Sequence, residues 1–165
     1  MTSLTTRYID YYTPLIQSFI RDVSRLNHPS FQGIMPEPFL PLFGGGYETS
    51  SIKIVIAGQD TLGWGNLLDF IKTAPDAISN RLIDGLDEFR QHPFVKWGPR
   101  RQTFWGFAMM LLASIYGRND WEIMKTGGMP EILDSFAWAN CNAVELYGST
   151  VGGPDVSRMY WDSVR

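Results

Sequence analysis

Ile52-Lys53-Ile54-Val55-Ile56-Ala57 runs directly into Gly58-Gln59-Asp60-Thr61-Leu62-Gly63-Trp64-Gly65. The first half is apolar almost without a break, which suits a parallel strand covered on both faces. The second half reads as a Gly-rich turn. α/β proteins build their sites where a strand ends in such a turn. Glycine allows positive φ and a close approach of backbone to ligand. Asp60 sits where the strand stops, so a rigid element holds its carboxylate toward a crevice. The same residues also make an ordinary tight turn closed by an Asx-type hydrogen bond. Both readings stay open on these residues alone.

Around this stretch lies a chain of 165 residues, enough for one domain with a real core. Hydrophobic residues make up 44% and aromatics 14%, a globular composition and not a disordered one. The 6 Trp, 7 Tyr and 10 Phe belong mainly to a core, although aromatics also stack on planar ligands. A net charge of −3 lacks the basic footprint of a tight, sequence-independent nucleic-acid binder. The one basic cluster, Lys96-Trp97-Gly98-Pro99-Arg100-Arg101, reads as a solvated loop before a helix. A single cysteine, Cys141, permits no internal disulfide and fits a reducing cytosol. With only His28 and His92 beside it, no zinc-ligand spacing exists, and no metal or cofactor is expected. Neither a membrane-length apolar run nor a signal-peptide pattern is present, so a cytoplasmic protein is expected.

Periodicity organises the rest. Residues 6–26 read as a helix, with Tyr8, Tyr12, Leu15, Ile16, Phe19 and Val23 at three- and four-residue spacing. Pro14 is awkward there and suggests a second segment beginning. Residues 31–47, rich in Pro and Gly, read as an extended loop that could wall a cleft. After the Gly58 turn come a short helix over 67–72 and a better one over 78–89, with Ile78, Leu82, Ile83, Leu86 and Phe89 on one side. The stretch from Thr103 to Tyr116 is apolar nearly all round and is expected to be deeply packed. Thr103 is the candidate N-cap and Gly117 the candidate stop. A helical turn over 131–135 precedes a second strand, 136–144. The tail after Tyr147 holds a possible short helix over 154–161. Helices between strands imply crossover connections and parallel pairing in one α/β domain spanning 1–165. Two strands are few, so the sheet looks incomplete at its C-terminal end.

The second strand carries Asn140 and Asn142. Adjacent parallel strands would bring these ends near Gln59-Asp60, making a small-molecule or base pocket. Aspartate serves there as a general base or orients water. An asparagine amide both donates and accepts, so it can read a base edge. Equally, Asn140 can satisfy buried backbone, and for Asn142 that bland role is the stronger one. Glu145 reads as a surface carboxylate.

Gly58-Gln59-Asp60 after an apolar strand, with Ala137-Trp138-Ala139-Asn140 on a later strand, resembles the uracil-DNA glycosylase superfamily. The lead-in ending in Gly46-Tyr47, the Gly63-Trp64 turn and the Phe104-Trp105 helix resemble a diverged bacterial and phage branch of it. The likeness covers roughly Phe39 to Leu146. It implies a three-layer fold with a short parallel sheet flanked by helices, and base excision from DNA. Asp60 would position or activate the attacking water. Gly58, Gln59 and Gly63 would line the base site. Asn140 would recognise the edge of the flipped pyrimidine, and Trp64 or Phe70 would stack on it. Flipping suits the chemistry, because the target atom is inaccessible in a stacked duplex. The base leaves as an anion and the sugar gains positive character, so a nearby carboxylate also stabilises charge.

The departures are specific. The superfamily's first motif continues Pro-Tyr-His, where this chain has Thr61-Leu62-Gly63, so the Tyr that excludes thymine is missing. Its last motif, a His-Pro-Ser run after the final strand, has no counterpart. His28-Pro29-Ser30 and His92-Pro93 precede the strands they would have to follow, and read as turns. Three expectations result. The chain is a glycosylase acting on single-stranded DNA or on a base flipped from a duplex. Alternatively, it is an inactive nucleic-acid or pyrimidine-binding module of the same fold. Or it is an unrelated interaction protein of a phage or defence system, whose open sheet edge takes a partner chain.

Overall fold

The computed structural model describes residues 2–25, 38–58, 77–91 and 102–141. They form a mixed α/β arrangement with a small three-stranded sheet. The chain gathers into two compact units. Among the described residues, one unit holds 2–25, 38–40, 77–83 and 140–141, and the other holds 41–58, 84–91 and 102–139. No helix among the described residues is long and apolar enough to cross a membrane.

In the first unit, helix α1 spans Leu4–Arg25. Ser3 caps it: its Oγ accepts the Thr6 N–H at 3.2 Å. Tyr8, Leu15, Ile16 and Phe19 are buried along one face, as the spacing predicts. The helix runs through Pro14 without a second start. Pro14 and Asp10, whose carbonyl loses its helical donor, both lie on the exposed side, where that carbonyl need not be buried unpaired. Thr13 and Ser79 hydroxyls meet at 3.2 Å.

The second unit is built around the sheet. Strand β1 is Leu42–Phe43, β2 is Ile54–Gly58 and β3 is Phe136–Asn140. Their order is β1-β3-β2. β1 pairs antiparallel with β3, Leu42 opposite Trp138 and Phe43 opposite Ala137. The sheet is mixed, which leaves β3 and β2 as the parallel pair. The all-parallel expectation therefore fails at β1, which lies within the stretch read as loop. Two residues give no alternation to recognise; two nearby glycines extend the pairing. Gly44 donates its N–H to the Phe136 carbonyl at 3.0 Å, and Gly46 to the Asp134 carbonyl at 3.1 Å. A Cβ on Gly44 would stand 2.2 Å from the Asp134 carbonyl oxygen, so only glycine permits this approach.

Helix α2 covers Ala77–Arg90 and α3 covers Gln102–Ile115. Leu86 and Phe89 of α2 are buried, while Ile83, expected on the same side, is partly exposed. Rings join α2 and α3 to β3. Phe89 stands edge-on to Phe136 at 5.6 Å, and Trp105 stands edge-on to Trp138 at 5.0 Å. A Schellman motif ends α3: Gly117, at φ 69°, donates to the Ser114 carbonyl and Arg118 donates to that of Ala113. A 3-10 helix, Trp121–Thr126, closes the same way on Gly127, and a short α4 follows at Pro130–Leu133. Between them Met129 is buried in a left-handed conformation, costing roughly 1 kcal/mol.

Two expectations about burial are corrected. β2 is not covered on both faces: Val55 is 57% exposed and Ala57 is exposed beside it. Nor is α3 buried all round. Its inner side packs Trp105, Ala108, Met109, Leu112 and Ala113, while Phe107, Met110, Leu111 and Ile115 lie outside. Hydropathy marks this helix as apolar but cannot say how many sides have neighbours.

Candidate functional site

β2 and β3 position the two predicted site residues that lie within the described chain. Gly58 is the last residue of β2 and is half-buried. Asn140 is the last residue of β3 and is buried. β3 is shorter at its end than the sequence suggests, because the chain bends at Cys141. Gln59, Asp60, Gly63, Trp64 and Phe70 fall outside the described residues, as do Asn142, Glu145, the helices expected over 67–72 and 154–161, the 96–101 basic cluster and both histidines.

Asn140 is chemically unusual. Its side-chain Nδ2 is buried and meets no hydrogen-bond acceptor. Leaving a buried amide donor unpaired costs about 1–3 kcal/mol. The nitrogen half of this amide thus satisfies no backbone carbonyl. Orphaned buried donors are rare and call for an explanation. Next to it, Cys141 is an exposed free thiol.

The lead-in to β2 holds a feature the sequence reading missed. Lys53 folds its ammonium back onto the preceding turn and donates to the carbonyls of Tyr47, Glu48 and Ser50 at 2.6, 2.8 and 2.8 Å. The same Nζ lies 5.4 Å from the centre of the Tyr47 ring. Three acceptors use all three donors of one ammonium. Ser50 Oγ donates to the Ile52 carbonyl at 2.8 Å and sits 3.1 Å from the Tyr116 hydroxyl. The segment feeding the Gly58 end of β2 is therefore anchored. A lysine interrupting an apolar strand was the available signal.

Other polar groups are conventional. Burial, and then the neighbouring Tyr11, push the Tyr12 phenol above its usual range. Arg118 and Asp120 form a two-bond pair at 3.1 and 2.9 Å, and the hydrogen bond holds the Asp120 carboxyl below the ordinary carboxylate range. Both side chains are exposed, so water and salt weaken the pair. Among the described residues no group of three or more His, Cys, Asp or Glu could hold a metal ion. Compared with known proteins, the chain matches no family model, no curated protein and no solved structure.

Proposed function

We propose that this chain is a glycosylase-like protein of the uracil-DNA glycosylase kind, which releases uracil or a modified pyrimidine flipped out of DNA. The observation that carries the reading is Asn140, a buried amide with a free donor at the end of the strand next to β2. A pyrimidine carbonyl is an acceptor of the right kind, and the amide oxygen can accept a ring N–H from the same edge. In the reaction, water attacks the sugar's anomeric carbon and the bond to the base nitrogen breaks. The base takes the bonding electrons and is then protonated. Asp60, two residues after Gly58, is assigned to orient that water and to stabilise the positive sugar. Gln59 and Gly63 are assigned to the base, with Trp64 or Phe70 stacked on it.

A second reading keeps the pyrimidine and drops the reaction. The same Asn140 favours it, because a free amide serves recognition whether or not hydrolysis follows. One experiment separates the two: base release from single-stranded uracil-containing DNA, read by alkaline strand cleavage, with wild type beside Asp60→Asn. Under the glycosylase reading wild type cleaves and the variant loses on the order of 10²-fold or more. Equal rates would sink the assignment of Asp60. Binding without release in either protein would establish the second reading. Absence of any affinity at low salt would count against both.

A further inference from the structure

We propose that Lys53 is a positioning residue: it sets the register of β2 beside β3, and with it the place of Gly58 at the strand's end. The apolar pattern of β2 is a poor guide to register. Ile54 and Ile56 are half-buried, Val55 and Ala57 are exposed, and all four are apolar. A slip of one residue would exchange the two pairs and put no polar side chain on the covered side. Where one face is apolar and the other polar, such a slip is strongly opposed; here the pattern opposes it weakly. Something outside the strand has to choose.

A path of hydrogen bonds supplies the choice. It starts at Asp134, two residues before β3, whose carbonyl accepts the Gly46 N–H. From Gly46 the backbone coils into a helical turn: the N–H groups of Thr49 and Ser50 both bond to the Gly46 carbonyl, at 3.2 and 2.9 Å. The last carbonyls of such a turn have no partner within it, and they attract a cation. Lys53 supplies one, its ammonium resting on the carbonyls of Tyr47, Glu48 and Ser50. Hydrogen bonds from a charged donor are roughly twice as strong as neutral ones. Three of them converging fix the ammonium at one point, and Lys53 stands directly before Ile54, the first residue of β2. The Ser50 hydroxyl, bonded to the Ile52 carbonyl, ties in the residue before Lys53. The path from Asp134 through Gly46 and its turn to Lys53 thus measures β2 against the start of β3. A one-residue slip would carry Lys53 about 3.3 Å along the strand and turn its side chain to the opposite face, pulling the ammonium off its carbonyls.

The test reads register directly, by the rate at which N-ethylmaleimide labels single cysteines in a Cys141→Ser background. With Lys53 in place, Val55→Cys should label several-fold faster than Ile56→Cys, because exposure governs access to the thiol. Lys53→Met keeps an unbranched stem and removes the ammonium; with it, the gap should close or reverse. Simple loss of stability would raise both rates and keep their order. An unchanged gap in Lys53→Met would overturn the proposal, as would equal rates with Lys53 in place. Global unfolding of Lys53→Met, read by circular dichroism, would overturn it too, because the residue would then hold the whole fold and not one strand's register. The consequence for the site rests on the glycosylase reading: Lys53→Met, with Cys141 intact, should lower base release on the order of 10²-fold by misplacing the end of β2. Full base release beside a closed labelling gap would overturn that link. Absence of release from wild type would count against the glycosylase reading alone, since the labelling rates decide the register without it.

Discussion

Ile54–Gly58 and Phe136–Asn140 are both five residues long, both mainly apolar, and neighbours in one sheet. Yet β3 is buried along nearly its whole length, while β2 alternates between half-buried and exposed. The more hydrophobic strand is the more exposed one. What packs on each strand's faces decides this, since β1 also ends the strand order and is buried. β3 has a strand on either side, and the rings of Phe89 and Trp105 pack on its own. β2 ends the strand order, and its one charged neighbour, Lys53, is turned back onto the preceding turn. Hydrophobicity qualifies a segment to join a sheet; the elements packed on its faces then set how much of it leaves water.

The contrast can be broken most forcefully at Phe136, which is fully buried between α2 and the sheet. Phe136→Ala should cost about 3–5 kcal/mol, much of the roughly 5–15 kcal/mol that holds a domain together. A urea midpoint close to wild type would show that β3 is not the centre of the core. Asn140→Leu sharpens the comparison at the other end of β3. Leucine has nearly the shape of asparagine without the orphaned donor, so stability should rise by about 1 kcal/mol while pyrimidine binding disappears. A fall in stability would mean that the amide has a partner and serves the fold. The smallest effect belongs to β2: Val55→Thr should change stability by no more than about 0.5 kcal/mol. A loss several times larger in thermal melts would mean that β2 is covered.

Of the candidate site, only Gly58 and Asn140 lie among the described residues, each as the last residue of a strand. That the two strands are parallel neighbours was also expected, from the rule that crossover helices imply parallel pairing, although the second was expected to run on to residue 144. That Asn140 keeps an unpaired donor was not legible. Whether a buried amide finds an acceptor depends on groups distant in sequence. Lys53 was visible as an interruption, but its three carbonyl partners depend on how the 47–50 turn curls.

The sequence alone determined what is local: α1 and its buried face, the extents of α2 and α3 to within a residue or two, the glycine stop at Gly117, and two strands near their true places. Each follows from side-chain spacing or backbone freedom over a turn or two of chain. The tertiary structure decided what depends on distant segments meeting. It made β1 a strand through Gly44 against Asp134, put β3 rather than β2 at the centre, carried α1 through Pro14 on its wet side, and left one face of α3 open. Periodicity is a property of one segment, whereas burial is a property of the neighbours it meets.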